Sequence, residues 1–144
     1  MKILLVCTGN TCRSPMAEAI LKFHSQDKNI EAFSRGTSVF FEEPINPKAK
    51  LTLEKMGIKE FEHMSQQISE TDVCSADIIL TMTSSHKMLL KSNFPKHAQR
   101  IFTLSEKAYG KDKSISDPYG QSEDIYMLCA KEIEEAVIEL LDKI

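Results

Sequence analysis

The chain has 144 residues, of which 42% are hydrophobic, enough apolar material for one domain spanning residues 1–144. The formal net charge of −3 provides no basic field and argues against nucleic acid as the main partner. Met1 leads directly into an apolar segment, and no apolar run approaches membrane length, so we expect a cytoplasmic protein that does not bind membranes.

The four cysteines form no CxxC pair and the four histidines are scattered, which argues against a zinc site. We therefore predict no metal and no cofactor. Composition leaves the oligomeric state open.

The N-terminal stretch KILLVCTGNTCRS, residues 2–14, carries the strongest local pattern. Residues 3–6 are apolar and branched, which is typical of a buried strand, and the strand ends at Cys7. The small polar residues 8–12 cannot easily continue it, and the residues from Arg13 onward begin a helical pattern. The predicted order is strand, tight loop, helix.

Such a loop is suited to binding an anion. Backbone N–H groups of a curled loop and of a helix N-terminus converge on one point, and Gly9 and Asn10 tolerate the backbone that curling requires. Arg13 adds a planar fork of donors for two phosphate oxygens. The partial positive charge of these N–H groups, together with the Arg13 guanidinium, favours the thiolate form of Cys7. The Ser14 hydroxyl is a further hydrogen-bond donor. We predict a phosphate site with a cysteine nucleophile.

The remaining pattern alternates strands with helices. The predicted helices cover residues 14–26, 48–56, a short segment after 69, 84 or 85 to 93, and 122–144; the strands cover 30–34, 77–82 and 100–104. This order predicts an α/β fold with a parallel sheet whose ligands bind beyond the carboxyl ends of the strands. Met16 and Phe23 are expected in the core.

Phosphoryl transfer to Cys7 requires a proton donor for the leaving group. Asp117 in SDPYG is the candidate, since Pro118 stiffens the turn beside it. An Asp-Pro pair alone is more commonly a simple turn former.

The segments VCTGNTCRSPMAEAI and DPYG resemble the low-molecular-weight protein tyrosine phosphatase family over essentially the whole chain. The resemblance implies a four-stranded parallel sheet with helices on both faces. It also implies that Cys7 accepts the phosphoryl group and that Asp117 acts first as acid and then as base. The phosphate would be held by residues Thr8, Gly9, Asn10, Thr11, Cys12, Arg13 and Ser14.

Further roles follow from the resemblance alone. Asn10 would brace the loop through Ser34 and His63, and Phe40 would flank the cleft. Similar proteins inactivate reversibly through the matching cysteine pair, so we expect oxidation to form a Cys7–Cys12 disulfide bond in this chain.

The remaining histidines and cysteines have no such context. His24, His86 and His97 are expected at the surface, and Cys74 and Cys129, which fit helix faces, are expected in the core.

The loop sequence CTGNTCRSP is most similar to the bacterial protein-arginine phosphatase branch. Tyrosine-specific members usually carry leucine and isoleucine where this chain has Thr8 and Thr11. The shorter, polar Thr11 suits a guanidinium better than an aromatic ring, and Phe40 and Tyr119 are the other candidate specificity residues. We therefore expect phosphorylated proteins as substrates and hydrolysis of phosphoarginine.

Three alternatives remain. A protein tyrosine phosphatase would use the same machinery. Arsenate reductases share the fold, but similar reductases need a later, closely spaced cysteine pair that Cys74 and Cys129 do not supply. A cysteine phosphocarrier would hold phosphate on Cys7 without needing Arg13 or Asp117.

Overall fold

The computed structural model describes all residues, 1–144. Its sheet contains β1 (Lys2–Cys7), β2 (Glu31–Gly36), β3 (Ile78–Thr81) and β4 (Ile101–Thr103). The strand order is β2-β1-β3-β4, and every neighbouring pair is parallel. This confirms the predicted single-domain α/β fold and its four-stranded parallel sheet.

Six α-helices connect and cover the strands. They are α1 (Arg13–His24), α2 (Pro47–Lys55), α3 (Glu70–Ser75), α4 (Ser84–Asn93), α5 (Leu104–Tyr109) and α6 (Glu123–Leu141), with a 3₁₀ helix at Pro95–Arg100. The sequence did not predict α5, which is a six-residue helix begun by a capping box at Thr103 and Glu106.

Alternate side chains of β1 pack into two separate hydrophobic clusters, one on each face of the sheet. Ile3 and Leu5 join the cluster that contains α1 and α6, whereas Leu4 and Val6 join the smaller cluster with α3 and α4. Successive strand residues point to opposite faces of a sheet, so an uninterrupted apolar run is needed when both faces are covered. Helices therefore lie on both faces, as expected.

Helix α1 is more deeply buried than an amphipathic pattern predicts. Residues 13–21 are all buried, because β1, β2, α2 and α6 all pack against α1. The expectation that Phe23 lies in the core is wrong: it sits in the last turn, beyond this buried stretch, and is 42% exposed. Met16 is fully buried, as expected.

The prediction for Cys74 is also wrong, and that for Cys129 is confirmed. Cys74 is exposed because the short helix α3 buries only Val73. Cys129 is buried in α6, where burial raises the pKa of its thiol to about 12.

The carboxyl ends of the parallel strands meet at one edge of the sheet. Cys7 ends β1, Gly36 ends β2 and Thr81 is the last residue of β3. The loops that follow these three strands are therefore brought together, which is where ligands bind in folds of this kind.

Candidate active site

Cys7 is buried at the end of β1, and its sulfur is held by two neighbours. Its Sγ lies 2.9 Å from Ser14 Oγ and accepts a hydrogen bond from the Asn10 backbone N–H at 3.3 Å. Residue 13 then begins α1, so the sulfur faces a helix N-terminus directly after the loop. The N-terminus of α1 and the backbone donor therefore place partial positive charge next to the sulfur.

Asn10 holds the loop in its curled shape. Its φ of +57° lies in the left-handed region, which asparagine tolerates better than most residues. Its Nδ2 donates to Ser14 Oγ at 2.8 Å and to Ser34 Oγ at 3.1 Å, and its Oδ1 accepts from Gln66 N at 3.0 Å. His63 Nε2 donates to its backbone oxygen at 2.8 Å. Every polar group of this buried side chain is paired, which rigidifies the loop.

Glu18 supports the partners of Asn10, a role that the sequence did not predict. Ser34 Oγ donates to Glu18 Oε1 at 2.7 Å, and Lys22 Nζ donates to Glu18 Oε2 at 2.6 Å. His63 Nδ1 is 3.9 Å from the same carboxylate. Burial lowers the pKa of His63, although its bond to Asn10 and the nearby carboxylate oppose that shift. No sequence signal distinguishes Glu18 from the other glutamates on helices, so only its burial in the structure identifies it.

The backbone after β2 supports the loop from a second side. Thr37 N donates to the Cys7 carbonyl at 2.9 Å, and Ser38 N donates to the Thr8 carbonyl at 3.0 Å. A Cβ added at Gly36 would lie 2.5 Å from Thr8 O, so only glycine allows this approach.

Arg13 joins the loop to the segment that carries Asp117. The buried guanidinium donates from Nη1 to the Ile115 carbonyl at 2.8 Å, and its Nη2 lies 3.7 Å from Asp117 Oδ2. Asp117 is about half exposed, and its Oδ1 accepts from Tyr119 N at 3.1 Å. Two residues more than a hundred positions apart thus share one site.

These groups surround a cavity of about 180 Å³. Residues 7–13 form its floor, and Asp117 and Tyr119 lie at its mouth. Phe40 does not line this cavity: it lies beside a neighbouring one of about 150 Å³ that shares Gly9 and Thr11 with the loop. Both aromatic side chains, Phe40 and Tyr119, are largely exposed. The cavity combines a buried sulfur, a guanidinium and a carboxyl group around a space of ligand size.

His86 was expected at the surface, and this expectation is wrong. It is 7% exposed, in the first turn of α4, with Nε2 2.7 Å from Thr8 Oγ1 and Nδ1 2.8 Å from Thr83 Oγ1. Burial, helped by Arg13 and opposed by Asp117, lowers its pKa to about 4. Its position just after β3, at the same sheet edge as Cys7, was the available signal. The helix is capped by Thr83 rather than by Ser84 or Ser85.

Both cysteines of the loop are free thiols. Cys12 Sγ lies 3.3 Å from the hydroxyl of Tyr126, which is fully buried in α6, and burial raises the pKa of Cys12. No three side chains of His, Cys, Asp or Glu are grouped closely enough to hold a metal ion. No helix is both long and apolar enough to cross a bilayer.

The sequence and the fold match known proteins over nearly their whole length. The family of low molecular weight phosphotyrosine protein phosphatases matches residues 2–144. A protein-arginine-phosphatase of Bacillus subtilis (strain 168) is 37% identical over 145 residues, covering 97% of this chain and 94% of that protein. The low molecular weight protein-tyrosine-phosphatase PtpB of Staphylococcus aureus is 39% identical over 143 residues, covering 99% and 98%.

A solved structure of a related phosphatase has the same fold. It is an arginine phosphatase variant in which serine replaces the active-site cysteine and is phosphorylated. The two structures superpose with a TM-score of 0.92 at 36% identity, over 99% of this chain and 95% of that one. The chain therefore belongs to the low molecular weight phosphotyrosine protein phosphatase family.

Proposed function

We propose that this protein hydrolyses phosphoarginine in proteins through a phosphocysteine intermediate on Cys7. The observation that carries the proposal is the cavity itself, in which the Cys7 sulfur, Arg13 and Asp117 face one space of about 180 Å³. Family membership supports a cysteine-dependent phosphatase, and the phosphorylated serine in the related arginine phosphatase supports a covalent intermediate.

In the first step the Cys7 thiolate attacks phosphorus, the S–P bond forms and the P–N bond to the arginine side chain breaks. Arginine is a far stronger base than the phenolate that leaves phosphotyrosine, so its nitrogen must leave protonated. Asp117, in its acid form, supplies that proton. Arg13 and the loop amides bind the phosphoryl oxygens as charge develops on them.

In the second step water attacks the phosphocysteine. Asp117, now a carboxylate, takes the proton from this water, the S–P bond breaks, and phosphate leaves as the thiolate reforms. The exposed position of Asp117 at the cavity mouth gives it access to both the leaving group and the water.

Thr11 supports phosphoarginine over phosphotyrosine. It lines both the cavity at Cys7 and the neighbouring one beside Phe40, so a substrate side chain leaving the loop passes its hydroxyl. A guanidinium has N–H groups that can donate hydrogen bonds to this hydroxyl, whereas a phenyl ring has no such donors.

A protein tyrosine phosphatase is the second candidate. Exposed Tyr119 and Phe40 offer aromatic faces near the cavity that could stack on a phenyl ring, and a tyrosine phosphatase is as similar to this chain as an arginine phosphatase is. Overall identity therefore does not separate the two substrates.

The deciding experiment compares kcat/KM for a phosphoarginine-containing protein and a phosphotyrosine peptide side by side. We expect a higher value on phosphoarginine; equal or better phosphotyrosine hydrolysis would overturn the substrate assignment. The intermediate is tested separately with Cys7→Ser, for which we expect a loss of roughly 10³-fold or more. Cys74→Ser, at an exposed cysteine on α3, is the matched control and should keep wild-type activity.

A further inference from the structure

A chain of three side chains leads from α4 to the phosphate-binding loop. Thr83 Oγ1 contacts His86 Nδ1 at 2.8 Å, and His86 Nε2 contacts Thr8 Oγ1 at 2.7 Å. His86 is buried, whereas Thr8 borders the cavity at Cys7. The histidine therefore has no direct access to a ligand, but the threonine has.

We assign the protons of these three side chains from their hydrogen-bond pattern. Thr83 Oγ1 already accepts the backbone N–H of His86 at 3.1 Å, as the cap of α4. Its own hydrogen needs an acceptor, and Nδ1 of a neutral imidazole supplies one. The ring proton is then on Nε2 and is donated to Thr8 Oγ1. Because Thr8 Oγ1 has no second partner in the protein, its own hydrogen is available to the cavity.

The ring is neutral at physiological pH. Arg13 and Asp117 are the charged groups that act on it, in opposite directions, and burial is the larger effect; together they bring its pKa to about 4. Near pH 7 the hydrogen bonds among Thr83, His86 and Thr8 therefore keep the same arrangement of protons.

We propose that His86 is a positioning residue that turns the Thr8 hydroxyl into the cavity, where Thr8 donates a hydrogen bond to the bound phosphoryl group. The inference rests on the proposed function only in assuming that a phosphoryl group occupies the cavity at Cys7. The Thr8 hydroxyl would thus join the backbone amides and Arg13 as a donor to the phosphoryl group. His86, on a different element, would set the orientation of that hydroxyl.

A double-mutant cycle tests this coupling, with inorganic phosphate as the probe and calorimetric titration as the measurement. Thr8→Val removes the hydroxyl while keeping the shape, and His86→Leu removes the ring donor. We expect each variant to bind phosphate about tenfold more weakly, as for loss of one hydrogen bond to a charged group. The double variant should bind no more weakly than Thr8→Val, because the two residues form one unit.

Conservative variants separate positioning from a purely structural role. In His86→Gln the side-chain amide can still donate to Thr8, and Thr8→Ser keeps the hydroxyl, so both should bind phosphate within about threefold of wild type. His24→Leu, which removes a histidine bonded to Glu134, is the matched control and should leave phosphate affinity unchanged. The same variants should show parallel changes in kcat/KM.

Two results would overturn the proposal: a double variant about a hundredfold weaker than wild type, or Thr8→Val with unchanged affinity. If His86→Leu does not fold, the comparison of His86→Gln with Thr8→Val remains decisive, and weak binding by the former would refute the coupling. Phosphate binding does not depend on the substrate class. A preference for phosphotyrosine together with the expected affinities would therefore overturn the proposed function alone.

Discussion

At the scale of single residues, the site depends on polar side chains that are buried and fully paired. Asn10 is the centre of this arrangement, since its hydrogen bonds reach Ser14 in α1, Ser34 in β2, and His63 and Gln66 in the connection between α2 and α3. A buried network of this kind is rigid when complete, and loss of one member leaves the others unpaired. The loop therefore keeps its shape before any ligand binds.

The proposed substrate choice also belongs to this scale, and Thr11→Ile tests it. Isoleucine removes the hydroxyl that can accept from a guanidinium and adds apolar surface suited to a phenyl ring. We expect the ratio of kcat/KM on phosphoarginine to that on phosphotyrosine to fall by roughly tenfold or more, the value of about one to two lost hydrogen bonds. Thr11→Ser, which keeps the hydroxyl, is the control. An unchanged ratio in Thr11→Ile would show that Thr11 does not select the substrate.

At the scale of elements, the end of β2 and the loop of residues 8–12 lie so close together that no side chain fits at Gly36. Gly36→Ala places Cβ 2.5 Å from Thr8 O and from Val39 Cγ2. Val39 can move, but the Thr8 carbonyl belongs to the loop and accepts from Ser38 N. We expect a loss of about 2 kcal/mol in the free energy of unfolding, measured with urea, together with weaker phosphate binding.

Gly9→Ala is the control for this prediction. The nearest atom to its added Cβ is Thr11 Oγ1 at 3.9 Å, an ordinary contact, so stability should change by less than about 1 kcal/mol. Equal stability of Gly36→Ala and wild type would mean that the loop can move away at little cost.

Helix caps provide a second test at this scale. Ser69 caps α3 in a reciprocal box, in which its hydroxyl accepts from Asp72 N at 3.2 Å and its N–H donates to Asp72 Oδ2 at 3.0 Å. Ser69→Ala should lower the free energy of unfolding by about 1 kcal/mol without changing kcat. Ser122 precedes α6 but makes no side-chain cap, so Ser122→Ala should cost much less. If both variants lost the same free energy of unfolding, the Ser69 side-chain cap would contribute no extra stability.

At the scale of the whole molecule, two buried histidines couple folding to pH. Burial lowers the pKa of both His63 and His86 from the ordinary value of 6.5, that of His86 to about 4. Below pH 6.5 and above the lowered pKa of each histidine, His63 and His86 bind protons in the unfolded chain but not in the folded protein. Stability is therefore fully present above about pH 6.5 and declines as the pH falls below it.

The decline is measurable by urea unfolding between pH 6.5 and 5. For His86 alone we expect about 1 kcal/mol lost for each pH unit once its unfolded form is mostly protonated. His86→Gln should show a shallower dependence of stability on pH than the wild type. A His86→Gln curve parallel to that of wild type would show that this histidine does not titrate differently in the two states.

The strand, loop and helix start around Cys7 could be predicted from the sequence because these residues are contiguous. The apolar run that ends at Cys7, the small residues 8–12 and the start of a helix at Arg13 specify a strand, a turn and a helix N-terminus by local backbone preferences alone. The alternation of strands and helices likewise predicted the parallel sheet, whose order and register the structure then specified.

Only the tertiary structure placed the residues that reach the loop from elsewhere. His86 has no local signal for burial, Glu18 is one glutamate of many on helices, and the all-round burial of α1 depends on α2 and α6 packing against it. Local preferences act within a few residues, whereas burial and the pKa of a side chain are set by elements that pack against it from distant parts of the chain. The sequence by itself thus determined the fold class and the backbone path of the loop after Cys7, and packing decided which distant side chains support that loop.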